Sequence, residues 1–351
     1  MKRNGLMERV LKSLGLIAAL AILGALLLAC GEEETIGETP GQGGNPPIAT
    51  PTNEPPAPTP TTDPPTATPE PEDPTATPEP ADPPIEYPTG SDDLVLRIEH
   101  TGGFVMMQHL LTRMPAFSLT GDGCFVHEGP QIMIFPPPAL PNLLVTCVDD
   151  DGMQAILQAA REAGLLDGDA EYPNDMIADA TTTVFTINAD GKSYVVSAYA
   201  LSLDEALTPN MSQEDAEARA RLAEFYDKMI SMRSWLPEGS IVGEESFYEI
   251  DRMQVVVQPV TSPSAPMPDT GIEPAEIAWP LATPLATFGE EYLGNADLRC
   301  AVVEGEDLRL MQRVIENANT LTHWTSEDES YFLYLRPLLT GETGCPAELA
   351  G

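Results

Sequence analysis

The stretch Leu143–Ala160, which reads LLVTCVDDDGMQAILQAA, decides the fold because it joins an apolar strand to an amphipathic helix. Residues 143–148 form a short apolar run of strand length. The acids Asp149–Asp151 suit a helix N-terminus, where they cap free amides and face the positive end of the helix dipole. One face of the predicted helix is apolar and consists of Met153, Ile156, Leu157 and Ala160. Gly164 fits a glycine stop.

Three hairpins are predicted around this unit, each from two strand-like runs separated by a short polar turn. The first spans 117–126 and turns at Gly121-Asp122-Gly123, and the second spans 182–199 and turns at Ala189-Asp190-Gly191. The third closes the chain over 322–336, across the acidic turn Glu327-Asp328-Glu329. These turns favour antiparallel sheet over the parallel sheet of alternating strand–helix folds.

The remaining elements are single strands and two more helices. Strands are predicted at Leu94–His100, Met253–Val257 and Leu298–Val303. The longest helix begins at Ser212, with Asp215 placed for a contact like that of a capping box, and ends at Pro237. A further helix is predicted over Asp307–Ala318. The irregular apolar stretch Ile277–Phe288 is either a partner-binding surface or a cover for the core.

One order of elements occurs twice, as strand, helix and hairpin at 143–199 and again at 298–337. In each copy a cysteine precedes a glycine at the helix start by five residues: Cys147 and Gly152, then Cys300 and Gly305. A duplication and a chance recurrence of a common unit both fit. The predicted fold class is α+β, with helices packed on antiparallel sheet and two β-α-β-β units. The globular domain is assigned to 92–351, with halves at 92–238 and 239–351.

The charge of the chain changes by region. Residues 1–30 carry four bases and one acid, and residues 31–90 carry twelve acids and no base. The net charge of −38 therefore leaves −29 on residues 91–351. A domain this acidic repels phosphate backbones and anionic lipid heads, so we expect no nucleic-acid partner.

The first thirty residues have the parts of an export signal. Lys2, Arg3, Arg9 and Lys12 make a basic start, and Leu14–Leu28 is an uncharged apolar run of 15 residues. A membrane-spanning helix needs about 20 such residues. The run ends in Leu27-Leu28-Ala29-Cys30, which resembles the lipobox of bacterial lipoprotein signal peptides. An ordinary cleaved signal and an uncleaved anchor are the alternatives.

The resemblance implies cleavage after residue 29 and diacylation of the Cys30 sulfur, with palmitate-like chains that hold the protein on the membrane. Two or more acyl chains give durable anchoring, whereas one is marginal. The expected location is the extracytoplasmic face of the cell membrane. The membrane would then be a partner through the chains on Cys30.

Residues 30–91 are predicted to be a disordered tether rich in proline, threonine and glutamate. Eighteen of the 36 prolines fall within 31–90. Such a segment has too little apolar area to offset the entropy of ordering. At ~3.1 Å per residue in extended polyproline conformation, it could reach up to roughly 190 Å.

The cysteines after Cys30 are even in number, which suggests disulfides in an exported domain. The favoured pairs are Cys124 with Cys147 and Cys300 with Cys345, because each pair is nearest in sequence and lies in one half. Buried free thiols are the alternative. Cys124 and His127 have the spacing of a metal pair, but residues i and i+3 of a strand face opposite sides.

The sequence contains few candidates for catalytic or metal-binding motifs, and we predict no cofactor and no metal. His100, His109 and His127 fall within 28 residues of one another and are candidates for a shared pocket; His323 is remote in sequence. Asp167, Asp169 and Glu171 resemble the opening of a calcium loop, but Tyr172 and Ala178 stand where such a loop needs Gly and Glu.

The sequence therefore favours a non-enzymatic, lipid-anchored module that binds an envelope protein or another envelope ligand. An envelope hydrolase with an unfamiliar active site is the first alternative, and it predicts a deep pocket near the three histidines. A transporter's solute-binding lipoprotein is the second, and it predicts two lobes around a ligand-sized cleft.

Overall fold

The computed structural model describes residues 83–174, 176–201, 211–266 and 271–347. The signal sequence, Cys30 and most of the predicted tether lie outside these ranges. Within them the fold is α+β, as predicted, with four α-helices and two mixed sheets. None of these helices has the length and apolarity to cross a membrane.

The first sheet has eight strands in the order β5-β7-β6-β1-β2-β3-β4-β8. Every neighbouring pair is antiparallel except β5 with β7. Its strands are β1 (Leu94–Gly102), β2 (Phe117–Thr120), β3 (Cys124–Glu128), β4 (Leu143–Val148), β5 (Ala170–Tyr172), β6 (Thr181–Ala189), β7 (Lys192–Tyr199) and β8 (Ile241–Phe247).

The second sheet has six strands in the order β10-β13-β14-β9-β12-β11. The pair β10 with β13 is parallel, and the other pairs are antiparallel. The strands are β9 (Arg252–Pro259), β10 (Glu276–Ala278), β11 (Glu290–Tyr292), β12 (Asn295–Glu304), β13 (His323–Ser326) and β14 (Glu329–Pro337).

The helices are α1 (Met107–Thr112), α2 (Asp150–Glu162), α3 (Gln213–Ile230) and α4 (Gly305–Ile315). The caps predicted for the two long helices are present. Asp149 accepts a hydrogen bond from the backbone N–H of Gly152 at 3.0 Å, and Ser212 accepts one from that of Asp215 at 3.0 Å. Helix α4 begins and ends earlier than the predicted 307–318.

Each sheet has its own apolar core. Helices α2 and α3 cover the first sheet, where Ile156, Leu157, Leu222 and Phe225 pack into one cluster with Leu96 and Phe185. Helix α4 covers the second sheet, where Leu308 and Met311 join Val255 and Trp324. The stretch 277–288 belongs to this second core, because Trp279, Leu285 and Phe288 are buried in it.

Disulfides join Cys124 to Cys147 and Cys300 to Cys345, the pairings that the sequence favours. Cys124 and Cys147 are direct partners on the adjacent strands β3 and β4. The second bridge ties the C-terminal segment to β12.

Two features differ from the domain boundaries that the sequence suggests. The composition assigns residues 83–91 to the tether, yet Ile85 is buried in the first core and exchanges two hydrogen bonds with the Gln154 side chain. Strand β8 belongs to the second half by sequence position, yet it pairs with β4 in the first sheet. The two strand–helix–hairpin units also differ in strand order, since one strand separates β12 from β14 and three separate β4 from β6.

Candidate functional site

A large cleft of about 1710 Å³ lies on the first half of the domain. It is lined by α1, by α3, and by side chains of β1, β3, β4, β6 and β8. Every lining residue except Glu245 falls within 100–234, and Glu245 lies on β8, which pairs with β4 in the first sheet. Ligand pockets for drug-sized molecules occupy about 300–1,000 Å³, so this cleft has room for something larger.

The three neighbouring histidines of the sequence, His100, His109 and His127, all line this cleft. Strand β1 carries His100, helix α1 carries His109 and strand β3 carries His127. The fourth, His323, lies on β13 against Phe332 and is not a lining residue. The three histidines therefore share one cleft, although no three of the described His, Cys, Asp or Glu residues are arranged to hold a metal.

His100 is held between two hydroxyl groups. Its Nε2 lies 3.2 Å from Tyr226 Oη on α3, and its Nδ1 lies 3.2 Å from Thr183 Oγ1 on β6. Burial lowers the pKa of His100, and the positive charge of Arg113 lowers it further. His100 is therefore a neutral imidazole with a hydroxyl partner at each ring nitrogen. Together these two contacts connect α3 to the sheet.

His127 lies beside Glu245, whose carboxylate is the most heavily bonded acid of the cleft. His127 Nε2 is 3.6 Å from Glu245 Oε2, and the same oxygen accepts hydrogen bonds from Thr146 and Arg233. Partial burial raises the pKa of Glu245, but these two hydrogen bonds and the charges of Arg233 and His127 outweigh it, so the pKa is lowered. The other ring nitrogen, Nδ1, lies 3.2 Å from the Glu128 carbonyl.

Arginines at the cleft have different surroundings. Arg219 is buried and donates to the carbonyls of Tyr172, Tyr199 and Ala200, while Arg233 pairs with Glu245. Arg113 donates through Nη1 alone, to the carbonyls of His100 and Gly102, each at 3.0 Å. In the described part of the chain no carboxylate lies within ion-pair distance of Arg113.

Methionine is concentrated at the cleft. Of the 14 methionines in the chain, four line it, namely Met114, Met211, Met229 and Met232. Three more, Met106, Met107 and Met133, are exposed beside it. Methionine is unbranched and polarizable, so methionine-rich surfaces adapt to apolar ligands of varied shape.

Two uncharged segments with exposed apolar side chains border the cleft, and we call them the rim segments. The first is 104–107, where Phe104 is 86% exposed, and the second is 132–135, where Met133 is 98% exposed. Val105 of one and Ile132 of the other line the cleft. The two segments supply eight of the fourteen exposed large apolar side chains in the described ranges.

The rim segments are attached to the fold at their ends. The Phe104 amide donates to the Asp179 carbonyl, and the helix that follows is docked on the second sheet through Leu111, which is buried there. The second segment is anchored by the pair Gly129 and Asn142 at its base and by Ala139, whose amide donates to the Ala318 carbonyl. The apolar side chains between these attachments are exposed to water, and contiguous exposed apolar patches are typical of interaction surfaces.

The three acids of the calcium candidate, Asp167, Asp169 and Glu171, do not converge on one site. Asp169 accepts a hydrogen bond from the Val195 backbone at 2.8 Å, so its carboxylate holds β7. Asp167 lies beside Gly164 at the turn after α2, and Glu171 is exposed on β5. These residues do not form a metal-binding group among the described residues.

Several cleft residues gave no signal in the sequence. Arg113, Arg233 and Glu245 stand in no motif, and they line one cleft only because α1, the turn after α3 and β8 converge there. The methionines do carry a signal in the sequence, because 106, 107 and 114 fall close together, as do 229 and 232.

No protein-family model, no curated protein and no solved structure matches this chain.

Proposed function

We propose that this protein is a lipid-anchored binding protein on the extracytoplasmic face of the cell membrane, and that the cleft is its ligand site. The lipobox-like sequence at 27–30 supports the anchor. The observation that carries the binding site is one cleft of about 1710 Å³ with a largely apolar lining, three histidines and an arginine without a carboxylate partner among the described residues.

The anchor is tested by the mass of the chain recovered from the membrane fraction of the cells that make it. We expect a chain that begins at Cys30 and carries acyl groups, and we expect Cys30→Ala to lose the acyl mass. A full-length, unmodified chain in the cytosol would contradict the proposal.

Binding is tested by native mass spectrometry of the full chain and of two variants on α3. Ala220 is exposed and lines the cleft, so Ala220→Trp places a bulky ring in the ligand's space. Arg221 is exposed on the same helix and is not a lining residue, so Arg221→Trp is the matched control. We expect a bound molecule that Ala220→Trp excludes and Arg221→Trp retains; equal occupancy in both variants would count against the cleft.

An envelope hydrolase is the second candidate, because three histidines meet in one cleft. A general base needs a free ring nitrogen near the substrate. His100 and His127 have both nitrogens beside partners, whereas the His109 ring has no hydrogen bond within the described ranges. The hydrolase reading therefore rests on His109, and it predicts turnover of an ester, amide or glycoside that His109→Gln abolishes.

A solute-binding lipoprotein has less support. Such proteins usually bind between two lobes, whereas here every lining residue except Glu245 belongs to the first half of the domain.

A further inference from the structure

We propose that the cleft binds a membrane lipid with two acyl chains and an anionic phosphate head. The chains would lie against the lining residues Met114, Met211, Met229 and Met232, which we call the methionine wall, and the head on Arg113. This inference rests on the proposed function and names the ligand of the same site. It is carried by the charge of the cleft, the open edge of Arg113 and the exposed rim.

The cleft is much less acidic than the rest of the domain. Its lining carries three arginines, Arg113, Arg219 and Arg233, against three acids, Glu128, Asp227 and Glu245. Its formal charge is therefore zero with neutral histidines, while residues 91–351 as a whole carry −29. An anionic ligand is repelled less here than elsewhere on this surface.

Arg113 can bind a phosphate with two parallel hydrogen bonds. The pair of N–H groups on Nε and Nη2 forms the fork that binds oxyanions in bidentate geometry. Only Nη1 donates within the described part of the chain, and it does so to two carbonyls that fix the guanidinium in place. Nε and Nη2 therefore keep their hydrogen-bonding capacity for a ligand, and Arg113 lines both this cleft and a second pocket of about 300 Å³.

The methionine wall and the rim segments indicate that the ligand has an apolar part. Met114, Met229 and Met232 are nearly buried and line the cleft, where flexible thioether side chains suit acyl chains. The rim segments carry Phe104, Met106, Ile134 and Phe135 into water without a charged residue among them. Such side chains suit the interface of a bilayer, from which a lipid would enter the cleft.

The test uses phosphatidylglycerol with a pyrene-labelled acyl chain, presented in vesicles to the full chain carrying Cys30→Ala. That substitution removes the protein's own acyl chains as a competitor for the cleft. Pyrene excimer emission falls when single lipids leave the vesicle for the protein. We expect saturable transfer that Ala220→Trp abolishes and Arg221→Trp leaves unchanged.

A second set of variants distinguishes the contribution of Arg113 to head-group binding from that of the methionine wall to acyl-chain binding. Arg113→Gln should weaken phosphatidylglycerol binding by about tenfold, since one charge-assisted bidentate contact is lost. It should leave binding of uncharged pyrene-labelled diacylglycerol unchanged. Arg113→Lys keeps the charge without the fork and should fall between. A loss of both lipids in Arg113→Gln and Arg113→Lys, with thermal unfolding unchanged, would overturn the assignment of the head to Arg113.

A third set of variants tests whether the rim segments control the rate of lipid transfer from vesicles. Met133→Gln should slow transfer from vesicles severalfold and leave the affinity unchanged, because the rim meets the bilayer and not the bound lipid. Val195→Gln alters an exposed apolar residue of β7 that does not line the cleft and is the control. Equal rates for both variants would overturn the role of the rim.

Failure of this inference differs from failure of the proposed function. One outcome of native mass spectrometry is a different bound molecule that Ala220→Trp excludes, while labelled lipid does not bind. That result would overturn the lipid as the ligand and keep the cleft as the binding site. An apolar peptide found in this way would likewise overturn the lipid and keep the site. Tight binding of palmitate with no preference for two-chain lipid overturns the two-chain ligand. An empty cleft with every lipid and with native extracts overturns both.

Discussion

At the scale of single residues, His100 links protonation to folding. Its pKa in the folded protein is below the ordinary value of 6.5, because burial and Arg113 disfavour the charged ring. As the pH falls below 6.5, the unfolded chain takes up this proton before the folded one does. The contribution of His100 to stability is therefore fully present above pH 6.5 and is lost as the pH falls toward the folded pKa of His100.

We predict that His100→Gln makes stability less dependent on pH between about pH 8 and pH 5. Gln keeps a donor and an acceptor for Tyr226 and Thr183 and cannot be protonated. The measurement is the urea midpoint at each pH in the native and variant proteins. Burial raises the pKa of Glu99 above 4.5, so its contribution to stability falls as the pH rises, opposite to that of His100. Glu99 is present in both the native and the variant protein. Parallel pH profiles would contradict the prediction.

Arg219 is the second residue with a large expected effect. It is 7% exposed and donates to three backbone carbonyls at the ends of β5 and β7. We predict that Arg219→Met costs roughly 2–4 kcal/mol, because those carbonyls lose their partner in a buried place. Arg221→Met, on the exposed side of the same helix, should change stability by less than about 0.5 kcal/mol. Urea unfolding of both compares them directly, and equal midpoints would refute the role of Arg219.

At the scale of elements, the sequence predicts an element correctly where neighbouring residues determine its turn or its cap. The hairpin turning at Asp190 and Gly191 and the helix caps at Asp149 and Ser212 are formed as the sequence indicates. Strand β8 gives no such signal, because it pairs only with β4 and is almost entirely exposed, so its sequence has no alternation of apolar residues. The cleft could be only partly predicted: the histidines are close in sequence, but Glu245 reaches them through long-range strand pairing.

The disulfides should differ in their contribution to stability. On the chain-entropy model, the bridge over 23 residues stabilises the domain by about 3.4 kcal/mol and the bridge over 45 residues by about 4 kcal/mol. We predict that Cys300→Ser with Cys345→Ser destabilises the protein at least as much as Cys124→Ser with Cys147→Ser. Urea unfolding under non-reducing conditions measures both. The ranking is wrong if the shorter bridge costs clearly more, which would show that strand pairing between β3 and β4 depends on it.

At the scale of the whole molecule, net charge and apolar surface act against each other when the protein meets a bilayer. The chain carries −38, so an anionic vesicle repels it, whereas the rim segments favour contact with the interface. Repulsion between exposed charges is screened by salt, with a Debye length of ~30 Å at about 0.01 M and ~8 Å at about 0.15 M. Apolar contact is not screened in this way. Salt should therefore have opposite effects on approach to the bilayer and on binding of the head.

We predict that salt accelerates lipid transfer from wholly anionic vesicles to the Cys30→Ala chain. Transfer from zwitterionic phosphatidylcholine vesicles that contain only the labelled anionic lipid should change little in rate. Affinity for that lipid should fall slightly as salt rises, because the contact between phosphate and Arg113 is partly screened. Stopped-flow pyrene emission gives the rates, and equilibrium titration gives the affinity. If salt slowed transfer from the anionic vesicles, basic groups would have to guide the approach, and the apolar rim would not be the surface that meets the membrane.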